Sequence, residues 1–497
     1  LWAPFTAEPA GGGFEEFRRA RGRFVEGAAE LPDDLGPMYE TLANDPTWEE
    51  GISARLAAGA VLSDAIVETA EEAAATLRTL PDPYLAARGD DLVQLGSHFV
   101  RLLAPETPEP PEDAILCARD VSAVELQRWS PLLSGVALIG VAPTAHLAIV
   151  ARGLGLPAVV LDETCAAQLP APAAMGTATP ALLQGFEGWL EIGPDPALAG
   201  AYPAERISAR PDPAPVFARG RTVGVFANLN AASDAALAAG LGADGVGLLR
   251  TEFLYVDRAE PPPVEEEVAA YRTVAAAFAG KPIVARTLDL GGDKLGAPFR
   301  DDGVDHGMLG VRGIRLTLRH PDLFARHLRA LVTGFAGTDL RIMFPMVAVP
   351  EEFARARDAL DEVLGELNSA CRPQLGLMLE IPAAAFALDE FARAGARFVS
   401  LGTNDLAQYF FASDRLGAEH ARYEIPKRAA WRAFLRDALA KAKAAGLEAG
   451  VCGEAAGDAT LSEFWLTSGV DELSVAPALI PWLKSRLRSI SSPLAPV

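Results

Sequence analysis

Residues 375–405 read LGLMLEIPAAAFALDEFARAGARFVSLGTND, and the fold of the second half of the chain turns on them. The stretch holds two apolar runs, Leu375–Glu380 and Phe398–Asp405, and each finishes in a carboxylate. Three more runs, Val246–Arg250, Ile283–Arg286 and Ala449–Cys452, also end on a group able to hold phosphate, metal or a proton. Strands that finish repeatedly in this way read as a parallel barrel with its chemistry on the C-terminal rim. Working outward, strand candidates recur at Thr222–Ala227, Gly245–Leu249, Pro282–Arg286, Leu340–Pro345, Leu375–Glu380, Phe398–Leu401, Ala449–Cys452 and Glu472–Val475. Between them, Pro321–Gly334, Glu351–Leu364 and Ala429–Ala444 have helical length and composition. Eight strands over roughly 250 residues predict a (β/α)8 barrel of the TIM type; an open doubly wound sheet is the competing fold.

The rest of the chain divides by composition. Residues 14–104 carry helical spacing and few β-branched pairs, which predicts a helical domain. Residues 105–202 alternate strand, turn and helix, at Ala114–Ala118, Val136–Gly140, His146–Ala151 and Ala158–Leu161, which predicts a small α/β domain. Residues 203–219, with four prolines and three arginines from Pro203 to Arg219, read as a linker before a barrel over 220–497. The uncharged stretch Trp129–Ala151 is long enough to raise a membrane span, but Gly135, Gly140, Pro143, Thr144 and His146 argue for a buried strand, a loop and a helix start.

At 497 residues, 50% hydrophobic and 22% charged, the composition is that of an ordinary multidomain globular protein. A net charge of −22 disfavours nucleic acid and favours a partner with a basic face. Cys117, Cys165, Cys371 and Cys452 are too scattered for a disulfide framework or a Cys-x-x-Cys zinc site, so a reducing, cytoplasmic setting is expected. No basic, apolar signal segment is read at the start, and the first residue is Leu1 rather than methionine, so a cut or processed N-terminus is expected.

On the expected rim, Arg250, Arg286, Arg312 and Arg415 follow apolar runs, where guanidinium forks can grip phosphate or carboxylate; taken singly, each could equally be a surface ion-pair residue. Gly291-Gly292-Asp293-Lys294 reads as an anion-binding loop with Lys294 at its end, or as a plain tight turn. Glu380 and Asp405 end consecutive strands and suit Mg²⁺, unless they simply pair with the arginines; Asn404 can donate to an anionic oxygen beside them. Cys452 is placed to give a proton to a carbanion or enolate, or else is a buried inert thiol. His146, where a loop turns into a helix, is a candidate phosphoryl acceptor, although most single histidines are structural.

These segments together resemble Enzyme I of the bacterial phosphoenolpyruvate:sugar phosphotransferase system. The resemblance is carried, in family order, by Gly245–Leu254, Arg286-Thr287-Leu288-Asp289, Ile342–Met346, Met378–Ala384, Gly402–Tyr409 and Cys452–Asp458. It implies a phosphohistidine domain that swivels, with a helical domain threaded into it that docks the carrier protein HPr. It also implies His146 as the phosphorylated residue, and Arg250, Arg286, Arg312, Arg415, Lys294 and Asn404 as substrate-binding. Mg²⁺ would sit on Glu380 and Asp405, and Cys452 would protonate the enolate to pyruvate. The acidic stretch Phe24–Glu50, with eight carboxylates and no lysine or arginine, would suit a basic face on HPr. A homodimer through the barrel follows from the resemblance alone.

The chain departs from the family at Val141-Ala142 and Ala145, where glycines and a serine are usual, and at His306-Gly307, where Asn-Pro is common. Residues 1–13 are expected to be the remnant of the phosphohistidine domain's start, which makes the chain a fragment with an HPr module expected upstream. Two other readings share parts of the pattern. One is a relative of pyruvate phosphate dikinase or phosphoenolpyruvate synthase; the other is a non-catalytic, phosphoenolpyruvate-binding regulator.

Overall fold

The computed structural model describes residues 13–28, 36–78, 83–103, 109–119, 121–139, 147, 150–151, 154–169, 179–185, 188–201, 211–255, 258, 260–291, 308–369, 371–413, 423 and 425–491. His146, Lys294 and Arg415, and with them most of the 291–294 loop, lie outside these residues. The chain forms two units, Leu1–Arg206 and Ile207–Val497.

The first unit begins with five helices, Phe14–Ala28, Gly36–Ala43, Pro46–Ala57, Leu62–Arg78 and Pro83–Leu103. Their apolar faces meet around Phe17, Phe24, Trp48 and Phe99, all at most 2% exposed and arranged mainly edge to face, as aromatic quadrupoles prefer. Gly96 lets two of these helices approach closely, since a Cβ there would lie 2.7 Å from Ala70 Cβ. Three parallel strands follow in the order β1 (Ala114–Ala118), β2 (Leu133–Ile139) and β3 (Ala158–Leu161). β4 (Ala181–Gln184) and β5 (Trp189–Ile192) form a separate antiparallel hairpin that the sequence reading did not anticipate. Arg101 ties the last long helix to the short helix Ala123–Trp129 through a bidentate pair with Glu125 at 2.6 Å. Ser122 Oγ lies 2.6 Å from His98 Nδ1 in the same cluster. Burial pushes His98 down to about 4, so its ring is neutral. This Ser, His and Glu grouping resembles a hydrolytic constellation, but its members are at most 4% exposed, and it serves as a structural tie.

In the second unit β6 (Val216–Ala218) pairs antiparallel with β7 (Arg221–Leu229), so the end of the segment expected as linker is a strand. From β7 the strands run parallel in chain order through β8 (Val246–Arg250), β9 (Pro282–Arg286), β10 (Asp339–Phe344), β11 (Gln374–Leu379), β12 (Phe398–Leu401), β13 (Glu448–Val451) and β14 (Glu472–Val475). β14 pairs back on β7, with Leu473 opposite Val225, and closes an eight-stranded barrel. Leu248, Val284, Met343, Met378, Phe398 and Cys452 form a buried apolar cluster on five of these strands and at the end of β13. The last helix, Ile480–Ser491, is pinned by the fully buried Lys484, which donates to Gly242 O and Asp244 Oδ1, each at 2.7 Å. Among the described residues no helix is long and apolar enough to cross a membrane.

Glycines on β8 and β13 make room for a carboxyl inside the barrel wall. A Cβ on Gly450 would lie 2.6 Å from Glu472 Cγ, and one on Gly247 would lie 2.8 Å from Glu472 Oε1. Burial pushes the half-buried Glu472 from its ordinary 4.5 up to about 7; Glu448 and Asp471 add to the rise, and Arg341 opposes it. A carboxyl whose pKa is raised by folding lends stability that is complete below 4.5 and is lost as pH climbs through 7. Glu472→Gln is therefore expected to melt above the parent chain at pH 8 and to converge with it near pH 5, as read by thermal unfolding at the two pH values. A constant difference across that range would remove this account.

Candidate active site

Parallel strands bring their C-terminal ends to one rim, and register decides which side chains meet there. Arg250 stands opposite Arg286 across β8 and β9. Glu380 directly follows β11, Asn404 and Asp405 start the helix Thr403–Phe411 that follows β12, and Cys452 directly follows β13. Arg312 arrives on the segment before the helix Ile314–Arg319, where Gly313 takes φ +56°, and a Cβ there would fall 2.9 Å from Met346.

Three carboxylates converge on this rim. Oxygen atoms of Asp289, Glu380 and Asp405, all buried, lie within 4.8 Å of one another. Arg312 Nη2 donates to both oxygens of Asp289 at 3.1 Å and stands 3.5 Å from Asp405 Oδ2. Arg286 Nη1 is 3.0 Å from Asp289 Oδ2 and 4.0 Å from Glu380 Oε1, while its Nη2 donates to Glu252 Oε1. Burial works against the charge on Arg286, but Glu252, Asp289 and Glu380 outweigh it and hold its pKa above the ordinary value. The same contest at Arg312 is won by Asp289, Asp405 and Glu380.

Glu380 is the exception in this network. It is 1% exposed, and among the described residues neither of its carboxylate oxygens has a hydrogen-bond partner. Burial, followed by repulsion from Asp289 and Asp405, pushes its pKa well above the ordinary carboxylate range against the pull of Arg286 and Arg312. Orphaned buried oxygens beside two further carboxylates fit a hard divalent cation, which takes oxygen ligands.

The thiol of Cys452 is 4% exposed, and burial pushes it up to about 12, so it stays protonated at neutral pH. Its carbonyl accepts from Asn228 Nδ2 at 3.1 Å; that amide also donates to Ser474 O at 3.1 Å and so straps β7 to β13 and β14. Asn404 Oδ1 accepts from Glu454 N at 3.0 Å, which leaves its NH2 group as a donor.

Gly453 controls how closely the ends of β12 and β13 approach. A Cβ there would lie 2.1 Å from Thr403 Oγ1 and 2.6 Å from Thr403 N, which is backbone and cannot swing aside. Gly453→Ala should therefore cost about 1–3 kcal/mol of stability. It should also lower turnover by far more than the stability change accounts for, because Cys452 and Asn404 flank the forced gap. Denaturant midpoints and steady-state rates on one preparation check both, and an alanine variant that matches the parent in both would show that the gap is not needed.

The rim thus brings together seven of the ten residues the sequence pointed to, Arg250, Arg286, Arg312, Glu380, Asn404, Asp405 and Cys452, while the other three lie outside the described residues. Two carboxylates escaped the reading, Glu252 and Asp289. Asp289 was detectable as the acid three residues beyond a strand-terminal arginine, a spacing that lets the two pair.

Comparison with known proteins agrees with this geometry. Residues 206–492 match the family described as "PEP-utilising enzyme, PEP-binding domain", and residues 110–171 match "PEP-utilising enzyme, mobile domain". The chain is 33% identical over 493 residues to the phosphoenolpyruvate-protein phosphotransferase of Haloferax volcanii, covering 95% of this chain and 84% of that protein. It is 34% identical over 486 residues to the protein of the same name from Streptomyces coelicolor, covering 94% and 83%. The chain belongs to the phosphoenolpyruvate-utilising enzymes and, within them, to the phosphoenolpyruvate-protein phosphotransferase, or Enzyme I, family. It is also 35% identical over 464 residues to the multiphosphoryl transfer protein of Rhodobacter capsulatus, covering 90% of this chain and 55% of that protein. The chain spans about half the length of the multiphosphoryl transfer proteins it matches.

Proposed function

We propose that the chain transfers the phosphoryl group of phosphoenolpyruvate to His146 and from there to a histidine of HPr, releasing pyruvate. The observation that carries this reading is the meeting of Arg286 and Arg312, three carboxylates and a protonated thiol on one barrel rim, in a chain about one-third identical to two phosphotransferases over most of its length. Arg250, Arg286, Arg312 and Arg415 hold the phosphate and carboxylate of the substrate, Lys294 contributes to binding the same anion, and Asn404 donates to an oxygen. Glu380 and Asp405, with Asp289 beside them, would hold Mg²⁺, which when bound offsets charge on the phosphoryl oxygens.

His146 attacks phosphorus in line. The N–P bond forms as the P–O bond to the enolate breaks, and the leaving enolate takes the Cys452 proton at carbon to become pyruvate. The resulting thiolate recovers its proton from solvent. Burial suits Cys452 to this task, because a thiol held at about 12 reaches the enolate as an acid rather than as a nucleophile. Phosphohistidine must then travel to HPr, which requires a conformational step between the two transfers. The likeness to multiphosphoryl transfer proteins supports a carrier domain fused to this chain or supplied separately. The cytoplasm is the expected setting, and a homodimer through the barrel the expected assembly.

Incubation with phosphoenolpyruvate labelled in its phosphoryl group tests the reading. Acid-labile, base-stable label that needs Mg²⁺ and vanishes in His146→Ala is expected. Label that persists in that variant removes the assigned acceptor, and labelling from ATP instead would move the chain to the dikinase branch.

A further inference from the structure

On the outside of the barrel, the helix Ile314–Arg319 packs against the helix Pro350–Glu366 and leaves a groove of about 300 Å³ lined by Val311, Arg315, Leu318, Arg319, Glu352 and Arg355. Three guanidinium groups face one carboxylate there, on a chain whose net charge is −22. That carboxylate is already engaged. Glu352 Oε2 accepts from Ala348 N at 2.8 Å and Val349 N at 3.3 Å, and Oε1 lies 3.5 Å from Arg315 Nε. Arg319 and Arg355 are exposed, and among the described residues neither makes a hydrogen bond or ion pair. Arg315 and Arg319 stand four apart on one helix, where like charges repel and weaken it unless an anion lies between them.

We propose that this groove binds a compact multivalent anion. Arg319 and Arg355 grip it from the two helices, and Val311 and Leu318 cover its apolar part. Guanidinium forks match phosphate and carboxylate oxygens equally well, so the ligand is a small phosphorylated or polycarboxylic metabolite. The groove differs from the catalytic rim in every residue, yet Val311 is the neighbour of Arg312, which places the ligand one residue from the rim. The proposal does not depend on the transferase reading, because binding is measured without turnover.

The test is isothermal titration calorimetry of the full chain at low ionic strength, once with inorganic phosphate and once with succinate. The parent is compared with the double variant Arg319→Gln/Arg355→Gln, whose two exposed sites leave the fold intact, as circular dichroism will verify. At least a tenfold loss of affinity for one binding equivalent is expected in the variant. Loss with phosphate alone assigns a phosphoryl ligand, loss with succinate alone assigns a polycarboxylate, and loss with both supports the shared chemistry. Superimposable isotherms with both anions overturn the proposal. It is also overturned if sedimentation shows the variant only dissociating an assembly of chains at unchanged anion affinity, since the groove would then be a contact between copies.

Discussion

Glu380→Gln should abolish phosphoryl transfer while making the metal-free chain harder to unfold. Two opposite effects from one atom replacement follow from the position of this carboxyl. It is 1% exposed, its oxygens have no hydrogen-bond donors among the described residues, and Asp289 and Asp405 disfavour its charged form. Leaving a buried polar group unsatisfied costs about 1–3 kcal/mol, and more for a charged one. Glutamine keeps the shape, is neutral without the proton that the raised carboxyl must take up on folding, and offers an NH2 group to the neighbouring carboxylates, so the variant should gain about 1–3 kcal/mol in EDTA at neutral pH. That corresponds to a rise of roughly 2–10 °C in melting temperature for a domain of this size. Activity should fall by about 10³-fold or more, the scale seen when a preorganised charge-stabilising group is lost. Saturating Mg²⁺ supplies a second readout. A ligand at 100 times its dissociation constant stabilises the folded state by about 2.7 kcal/mol, so the parent should melt higher with Mg²⁺ and the variant should not. If glutamine lowers stability in EDTA, or leaves the magnesium response intact, Glu380 is an ordinary ion-pair residue of the rim.

The barrel was legible because its strands are buried on both sides and so appear as short apolar runs with charged ends. Pro282–Arg286, Phe398–Leu401 and Glu472–Val475 coincide with the runs read from the sequence, and the helices Pro321–Gly334 and Ala429–Ala444 coincide as well. Where burial weakens, so does the signal. All four residues of β4 and three of the four in β5 are only half-buried, and neither run carries an apolar pattern strong enough to declare a strand. β6 was hidden among prolines and arginines, and at three residues it is too short for its Val216-Phe217 pair to declare a strand before its backbone pairs with β7. Glu252 and Asp289 went unread for a related reason. A carboxylate in a loop looks like solvated charge until folding sets it against Arg286. The grouping of His98, Ser122 and Glu125 lies equally beyond sequence, because three-dimensional packing alone seals those polar groups from water.

Replacing Cys452 by alanine should lower pyruvate release by about 10²–10⁴-fold, the usual contribution of a positioned acid, with little change in the fold. Burial, first among the causes, lifts this thiol to about 12, and its Sγ donates to Leu401 O at 3.8 Å. At pH 8 only about one thiol in 10⁴ is then ionised, which keeps the proton available for the enolate and keeps the sulfur from acting as a nucleophile. Two consequences separate an acid from a structural cysteine. Across the neutral range no basic limb of the parent's pH–rate profile should belong to Cys452, because its loss of a proton lies far above. Cys452→Ser should recover little, since a hydroxyl is a much weaker acid of almost the same size; a merely structural thiol would tolerate serine well. Alkylation with iodoacetamide at pH 8 gives an independent check. Cys165 is exposed and should react first, whereas Cys452 should remain unmodified in the folded chain and react only after unfolding. A serine variant within a few-fold of the parent, or alkylation of Cys452 at the pace of Cys165, would leave the enolate without its assigned proton donor, and the acid would then have to be sought among the other groups of the rim.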